Sequence, residues 1–123
     1  MENRKIILIV EDEVTLRNAL RDKLTHEGFG VLEAKDGEEG LEVALRDHPD
    51  LILLDIIMPK MDGMTVLKKL REDTWGKTVK VIILTNLSSD VKIGEAVILG
   101  SFEYLIKTDW KIEDVITKVR ETL

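Results

Sequence analysis

Carboxylate-bearing residues follow directly after two apolar runs in this sequence. Residues 6–10 lead into Glu11 and Asp12, and residues 51–54 lead into Asp55. An apolar run of this length is typical of a strand that is covered on both faces, and a charge at its end is costly unless something pairs with it. A single Asp at the end of a strand can also be a solvated loop residue or a helix cap. The choice between these interpretations and a functional site therefore depends on the other segments.

Two further polar groups follow the later apolar runs. Residues 81–84 lead into Thr85, and residues 102–106 lead into Lys107. Taken singly, Thr85 is an ordinary β-branched strand residue and Lys107 an ordinary surface lysine. Ligands of an open α/β sheet bind outside the carboxyl ends of its strands. A parallel sheet would therefore bring the acids, the hydroxyl and the lysine to one edge.

Three carboxylates at one edge repel one another, by about 3 kcal/mol for each pair at about 5 Å and an effective dielectric constant near 20. A hard divalent cation removes this conflict, and oxygen ligands without His or Cys suit Mg²⁺ rather than zinc. Mg²⁺ in such a site favours a phosphoryl group. One acid can then act as the nucleophile and form an acyl phosphate, while Lys107 and the cation neutralise the phosphoryl oxygens and Thr85 donates a hydrogen bond.

The apolar pattern also predicts the elements that would position these groups. Five apolar runs, of which 31–34 is weak, alternate with five segments of helical spacing, and Asp62 and Ser88 or Ser89 are candidate helix caps. This alternation predicts an α/β domain with a five-stranded parallel sheet and helices on both faces. No linker interrupts it, so we expect one domain over residues 1–123. Gly40 and Gly94 fall inside helical segments without an evident reason.

Composition excludes several other classes. The chain has 123 residues, 44% of them hydrophobic, which suffices for one buried core. Its net charge of −6 argues against a direct nucleic-acid surface, and the lack of cysteine excludes disulfides and thiol catalysis. The first apolar run, 6–10, is too short for a signal peptide or a membrane span. We therefore expect a cytoplasmic protein without membrane contact.

Four motifs in this sequence resemble those of the receiver domains of response regulators in two-component signalling. They are IVEDE at 9–13, LLDIIMPKMDG at 53–63, ILTN at 83–86 and YLIK at 104–107. The resemblance covers essentially the whole chain. It implies a flavodoxin-like, doubly wound (βα)5 domain similar to the chemotaxis regulators, with the strand order 2-1-3-4-5. It also implies a phosphoacceptor that assists only its own phosphorylation and dephosphorylation, and is otherwise not an enzyme.

The resemblance implies a role for each site residue. Asp55 would accept a phosphoryl group from the phosphohistidine of a sensor histidine kinase or a phosphotransfer protein. Asp12 and Asp55 would bind Mg²⁺ directly, together with the backbone carbonyl of Ile57, and Glu11 would bind it through water. Lys107 would contact the phosphoryl group.

The resemblance also implies a switch. Thr85 would move to hydrogen-bond the phosphoryl group, and Tyr104 would rotate into the space that Thr85 leaves. Their movement would change the face made by the fourth predicted helix, the fifth strand and the fifth helix, roughly 88–123. We expect a downstream protein to recognise this face.

Two residues depart from the family pattern. Thr108 follows Lys107, where the family usually has a proline and often a cis peptide bond. A cis bond before a residue other than proline costs about 3–4 kcal/mol, so the geometry of this loop is open. Asn86 follows Thr85, where a small residue is common, and it could change the lifetime of the acyl phosphate.

Other phosphate-handling proteins fit the sequence less well. A haloacid-dehalogenase-type phosphatase needs a second acid where Ile57 stands, a flavin carrier needs a glycine- and hydroxyl-rich loop where Glu11 and Asp12 stand, and the P-loop motif is absent. The alternative that stays open is a pseudo-receiver, which would bind partners without being phosphorylated.

Overall fold

Strands and helices alternate along the chain in the computed structural model. The structure describes residues 4–55, 58, 60–85, 103–106 and 111–123, and for 85 and 103–106 it describes the backbone alone. In chain order the elements are β1 (Ile6–Val10), α1 (Val14–His26), β2 (Gly30–Ala34), α2 (Gly37–Asp47), β3 (Leu51–Asp55), α3 (Gly63–Glu72), β4 (Lys80–Thr85), β5 (Glu103–Ile106) and α4 (Ile112–Thr122). Helix α4 is the fifth helix of the sequence prediction. The predicted fourth helix, from Ser88 or Ser89, lies outside the described residues.

The five strands form one parallel sheet in the order β2-β1-β3-β4-β5. This confirms the predicted α/β class and the strand order that the resemblance implied. The order changes direction between β1 and β3, so the connections that leave these two strands turn to opposite faces of the sheet. Such a point forms a crevice at the carboxyl edge, where ligands bind in folds of this kind.

Two hydrophobic clusters cover the two faces of the sheet. Along β1, Leu8 and Val10 belong to the cluster with α2 and α3, whereas Ile7 and Ile9 belong to the cluster with α1 and α4. Strand β3 alternates in the same way, and all five of its residues are buried. Successive strand side chains point to opposite faces, so a doubly covered strand requires an uninterrupted apolar run. The buried core therefore extends to Asp55 itself.

Aspartate side chains cap two of the helices at the edge that carries the acids. The backbone N–H of Thr65 donates to Asp62 Oδ1 at 2.8 Å, which confirms the predicted cap of α3. The N–H of Glu39 donates to Asp36 Oδ1 at 2.8 Å, and Glu39 Oε1 accepts from the N–H of Lys35 at 3.1 Å. These bonds satisfy N–H groups that have no partner within the helix. They fix the starts of α2 and α3 relative to the sheet.

Gly40 lies inside α2 at the point where this helix packs on β1. A Cβ atom at Gly40 would lie 2.6 Å from Val10 Cγ1, so a larger residue would push the helix away from the strand. This close contact explains why residue 40 is a glycine, which the helical pattern alone does not explain. Gly94, the other such glycine, lies outside the described residues. Among the helices that the structure describes, none is long and apolar enough to cross a membrane.

Candidate functional site

The register of the sheet brings the ends of four strands level with one another. Val10 is paired with Leu54, so Glu11 is the residue beside Asp55 on the neighbouring chain segment. Asp55 is paired with Leu84, and Thr85 is paired with Ile106. Thr85 therefore lies one residue beyond the level of Asp55, and Lys107 follows directly after the last residue of β5. The pairing of the strands thus explains why Glu11, Asp55 and the backbone of Thr85 share one edge of the sheet.

Three carboxylates form a cluster at this edge. Glu11, Asp12 and Asp55 each place one carboxylate oxygen within 4.8 Å of the others. Glu11 is 0% exposed and Asp55 is 4% exposed, whereas Asp12 is exposed to solvent. Burying like charges this close together is unfavourable unless a cation or a proton compensates them. The structure therefore brings together the three acids that the sequence predicted at this edge.

The turn after β1 is held by hydrogen bonds on both sides of Glu11. The N–H of Glu11 donates to the carbonyl oxygen of Ala34 at 3.0 Å, which continues the β1–β2 pairing by one residue. The N–H of Glu13 donates to Glu11 Oε2 at 3.2 Å. This second bond curls the chain around the Glu11 carboxylate and leaves Asp12 at the tip of the turn, on the solvent side of the cluster.

Of the described residues that follow Asp55, Lys60 and Met61 contact the start of α2. Met58 is buried in the cluster with α2 and α3, and Lys60 has a left-handed backbone with φ 68°. Lys60 Nζ lies 3.8 Å from Oδ2 of the buried Asp36. A Cβ atom at Gly37 would overlap the carbonyl oxygen of Met61 and lie 2.9 Å from Met61 Cβ. The start of α2 thus supports the loop that leaves the candidate acceptor.

Sequence reasoning missed the part that Asp36 and Gly37 play here. The sequence indicates only that Gly37 lies at a helix start, because the pattern of a single segment does not show which loop will pack against it. The local signal was an Asp-Gly pair directly before two glutamates, at 36–39. That signal indicates a capped helix and gives no information on its partner.

The structure does not describe the side chains of several predicted site residues. Ile57 and Lys107 lie outside the described residues, and so do Asn86, Thr108 and the peptide bond between Lys107 and Thr108. Thr85 and Tyr104 are described by their backbone only, as members of β4 and β5. Their roles stay predictions.

The donor set of the acidic cluster fits a hard divalent cation. It consists of carboxylate oxygens, and the described part of the chain adds neither His nor Cys to the cluster. Oxygen donors on a partly buried, partly solvated edge are what Mg²⁺ prefers, since this ion keeps several of its waters. Exposure of Asp12 leaves room for such waters.

Magnesium is expected to stabilise the folded chain. At ten times the dissociation constant, binding to the folded state raises the free energy of unfolding by about 1.4 kcal/mol. We expect Asp12→Ala to raise the stability of the metal-free protein, because it removes a repelling charge, and to abolish the gain from Mg²⁺. Urea unfolding with and without millimolar Mg²⁺ measures both effects.

Glu13→Gln is the matched control for this prediction, because the exposed Glu13 adjoins the cluster in sequence but is not part of it. The control should keep the full gain from Mg²⁺. A native protein whose stability is indifferent to millimolar Mg²⁺ would speak against a cation site.

Known proteins share both this fold and this sequence pattern. The chain is 37% identical over 105 residues to the "Probable transcriptional regulator ycf27" of Cyanophora paradoxa, an alignment that covers 85% of this chain and 43% of that protein. The crystal structure of the chemotaxis response regulator CheY4 of Vibrio cholerae superposes with a TM-score of 0.91 at 27% identity, covering 98% of this chain and 100% of that one. A chain in the CheX–CheY–BeF3–Mg²⁺ complex of Borrelia burgdorferi superposes with a TM-score of 0.86 at 31% identity, covering 95% and 87%.

The shared region is the receiver domain. The chain spans 43% of the ycf27 relative and 52% of the response regulator ArlR of Staphylococcus aureus, so it corresponds to about half of these longer proteins. The sequence pattern of the response regulator receiver domain family matches residues 7–120. This match includes the whole acidic cluster and all strands of the sheet except the first residue of β1, Ile6. The chain therefore belongs to the response regulator receiver domain family.

Proposed function

We propose that this chain is a phosphorylation-activated switch of a two-component system, and that Asp55 is its phosphoacceptor. The observation that carries the proposal is the position of Asp55, buried at the end of the central strand and within 4.8 Å of the oxygens of Glu11 and Asp12. The phosphoryl donor is the phosphohistidine of a sensor histidine kinase or a phosphotransfer protein. Membership of the receiver family supports this choice of donor.

The transfer is a displacement at phosphorus. A carboxylate oxygen of Asp55 forms the new O–P bond while the P–N bond to the donor histidine breaks, and the electron pair of that bond goes to the imidazole nitrogen. A carboxylate nucleophile carries no proton, so this step needs no base to remove one. Strand β3 contributes rigidity, because its five residues are all buried and its partners hydrogen-bond it on both sides. Rigid positioning is the main contribution that a protein makes to phosphoryl transfer.

The cation of this site is Mg²⁺ in our proposal. Asp12 and Asp55 would bind it directly with the backbone carbonyl of Ile57, and Glu11 would bind it through water. When bound, Mg²⁺ neutralises part of the negative charge on the phosphoryl oxygens. The exposure of Asp12 supports its role as a direct ligand, since a hydrated ion can reach a carboxylate on the solvent side.

Lys107 and Thr85 complete the proposed site. Lys107 would contact the phosphoryl oxygens as a counter-charge, and Thr85 would donate a hydrogen bond to them. Support comes from the backbone: β4 and β5 end at Thr85 and Ile106, which are paired in register, one step beyond the level of Asp55. We therefore expect Thr85, and Lys107 as the residue after Ile106, at the edge where the phosphoryl group would be.

The downstream partner is a protein that recognises the face at roughly 88–123. The negative net charge supports the expectation that this domain binds neither nucleic acid nor membrane directly. Relatives such as ycf27 are longer, and the transcriptional regulation that their names indicate would involve residues beyond the shared region. We propose a cytoplasmic receiver domain over residues 1–123.

Phosphorylation is expected to change a face distant from Asp55. A phosphoryl group adds nearly two negative charges and three acceptor oxygens, which Thr85 and Tyr104 would convert into a population shift. Beryllium fluoride with Mg²⁺, a mimic of the phosphoryl group, should therefore shift amide NMR signals within 88–123 as well as those beside Asp55. Thr85→Ala should reduce the distant shifts and still permit phosphorylation.

Thr85→Ser is the control, because it keeps the hydroxyl group and should preserve most of the distant response. Distant shifts of native size in Thr85→Ala would contradict a coupling through Thr85 and Tyr104. A native protein that shows no response at all to beryllium fluoride and Mg²⁺ would favour the pseudo-receiver.

A further inference from the structure

An arginine on α1 contacts the turn after β1 that carries Glu11 and Asp12, which we call the acidic turn. Arg17 Nη1 donates to the backbone carbonyl oxygen of Glu11 at 2.8 Å. Its Nε lies 3.5 Å from Glu33 Oε1 on β2, and its side chain is 17% exposed. The guanidinium thus joins α1, β2 and the turn that follows β1 in one largely buried contact.

The carbonyl that Arg17 binds belongs to the peptide group between Glu11 and Asp12. A peptide group is planar, so fixing its oxygen also fixes the direction in which the chain enters Asp12. The other bonds of the turn hold the N–H and the carboxylate of Glu11, as described above. Arg17 is therefore a side chain that restrains the peptide plane between Glu11 and Asp12, the exposed acid.

Glu33 keeps the guanidinium in place and compensates its charge. Arg21, one turn further along α1, also lies near this glutamate, with Nη1 3.7 Å from Glu33 Oε2, but its side chain is 40% exposed. Among the described contacts, Arg17 donates a hydrogen bond to the Glu11 carbonyl oxygen, whereas Arg21 donates hydrogen bonds to the side chains of Asn18 and Asp22. The chain thus contains two arginines on one helix that share a glutamate and differ in their contact with the acidic turn.

We propose that Arg17 is a positioning residue of the cation site, one that orients Asp12 through the Glu11 carbonyl. The inference rests on the proposed function of Glu11, Asp12 and Asp55 as a Mg²⁺ site. Residues that orient metal ligands change metal affinity by about 10- to 100-fold when they are removed. By orienting Asp12, Arg17 would strengthen Mg²⁺ binding. Its positive charge acts in the opposite direction, because a nearby positive charge weakens the binding of a cation.

This difference in sign makes the proposal testable. Arg17→Met removes both the donor and the charge and keeps an apolar stem of similar length, so a purely electrostatic role predicts tighter Mg²⁺ binding. Positioning predicts binding weaker by about tenfold. Arg21→Met, the matched control, removes the same charge from the same helix without touching the Glu11 carbonyl, and should change the dissociation constant by less than about twofold. Calorimetric titration with Mg²⁺ measures all three proteins.

A second measurement does not depend on the metal. In the metal-free protein, Arg17→Met should shift the amide NMR signals of Asp12 and Glu13, and Arg21→Met should leave them in place. Arg17→Lys keeps the charge but not the two-point guanidinium contact, and it should also weaken Mg²⁺ binding. This variant provides the test if Arg17→Met does not fold.

The outcomes separate this inference from the function on which it rests. If the native protein binds Mg²⁺ and both Arg17 variants bind it as tightly or more tightly, the positioning role is wrong and the proposed function stands. If Arg17→Met and Arg21→Met weaken binding equally, the effect belongs to the Glu33 ion pairs and the inference is likewise overturned. If the native protein does not bind Mg²⁺, both are overturned.

Discussion

Asp55→Asn is expected to abolish phosphoryl incorporation from acetyl phosphate and Mg²⁺, whereas the native chain should gain the mass of one phosphoryl group. The amide of Asn has the shape of the carboxylate but no charged oxygen that can attack phosphorus. The variant should still fold, because it removes one of three repelling charges from the cluster. Intact-protein mass spectrometry measures the incorporation.

Asp62→Asn is the matched control for this substitution. Asp62 lies in the loop that follows β3, outside the acidic cluster, and caps α3 through the N–H of Thr65. Asn is an equally good cap, so this variant should incorporate the phosphoryl group like the native protein. Incorporation that persists in Asp55→Asn would mean that another residue accepts the phosphoryl group.

Gly37→Ala is expected to lower the free energy of unfolding by about 1–3 kcal/mol, the usual cost of overpacking. The new Cβ would overlap the backbone carbonyl of Met61, which cannot rotate away as a side chain could. Either α2 or the loop after Asp55 has to move. We therefore expect phosphorylation by acetyl phosphate to slow as well, because the loop that leaves the acceptor would be displaced.

Glu38→Ala provides the comparison, since Glu38 is exposed in the same first turn of α2. Its stability, measured by urea unfolding, and its phosphorylation rate should stay close to native values. If Gly37→Ala matched the native protein in both measurements, the loop after Asp55 would not be supported by α2 in the way that the structure indicates.

The strands and their polar ends could be predicted because the signals are local. A strand covered on both faces has to be apolar along its whole length, and residues 51–54 show this directly. The weak run at 31–34 became the edge strand β2, whose first four residues, Gly30 to Glu33, are only partly buried. An edge strand has one neighbour, and its side chains can remain half-solvated, so its apolar signal is fainter.

The strand order and the support of the site required more than local patterns. Alternation of strands and helices fits several orders of a parallel sheet, and the observed order was expected only because of the family resemblance. Gly40 on Val10 and Gly37 on Met61 are contacts between distant segments. The hydrogen bond from Arg17 to Glu11 spans only six residues, but it joins a helix to the turn after a strand. Patterns within one segment carry no information about such partners.

We expect Asp55, and neither of the other two acids in its cluster, to accept the phosphoryl group. Borohydride reduces an acyl phosphate to an alcohol, which converts a phosphorylated aspartate into homoserine and marks it permanently. After incubation of the native protein with acetyl phosphate and Mg²⁺, reduction and peptide mass spectrometry should find homoserine at Asp55. A reduced residue at Glu11 or Asp12 in place of Asp55, or no reduced residue at all, would contradict the assignment of Asp55 as the phosphoacceptor.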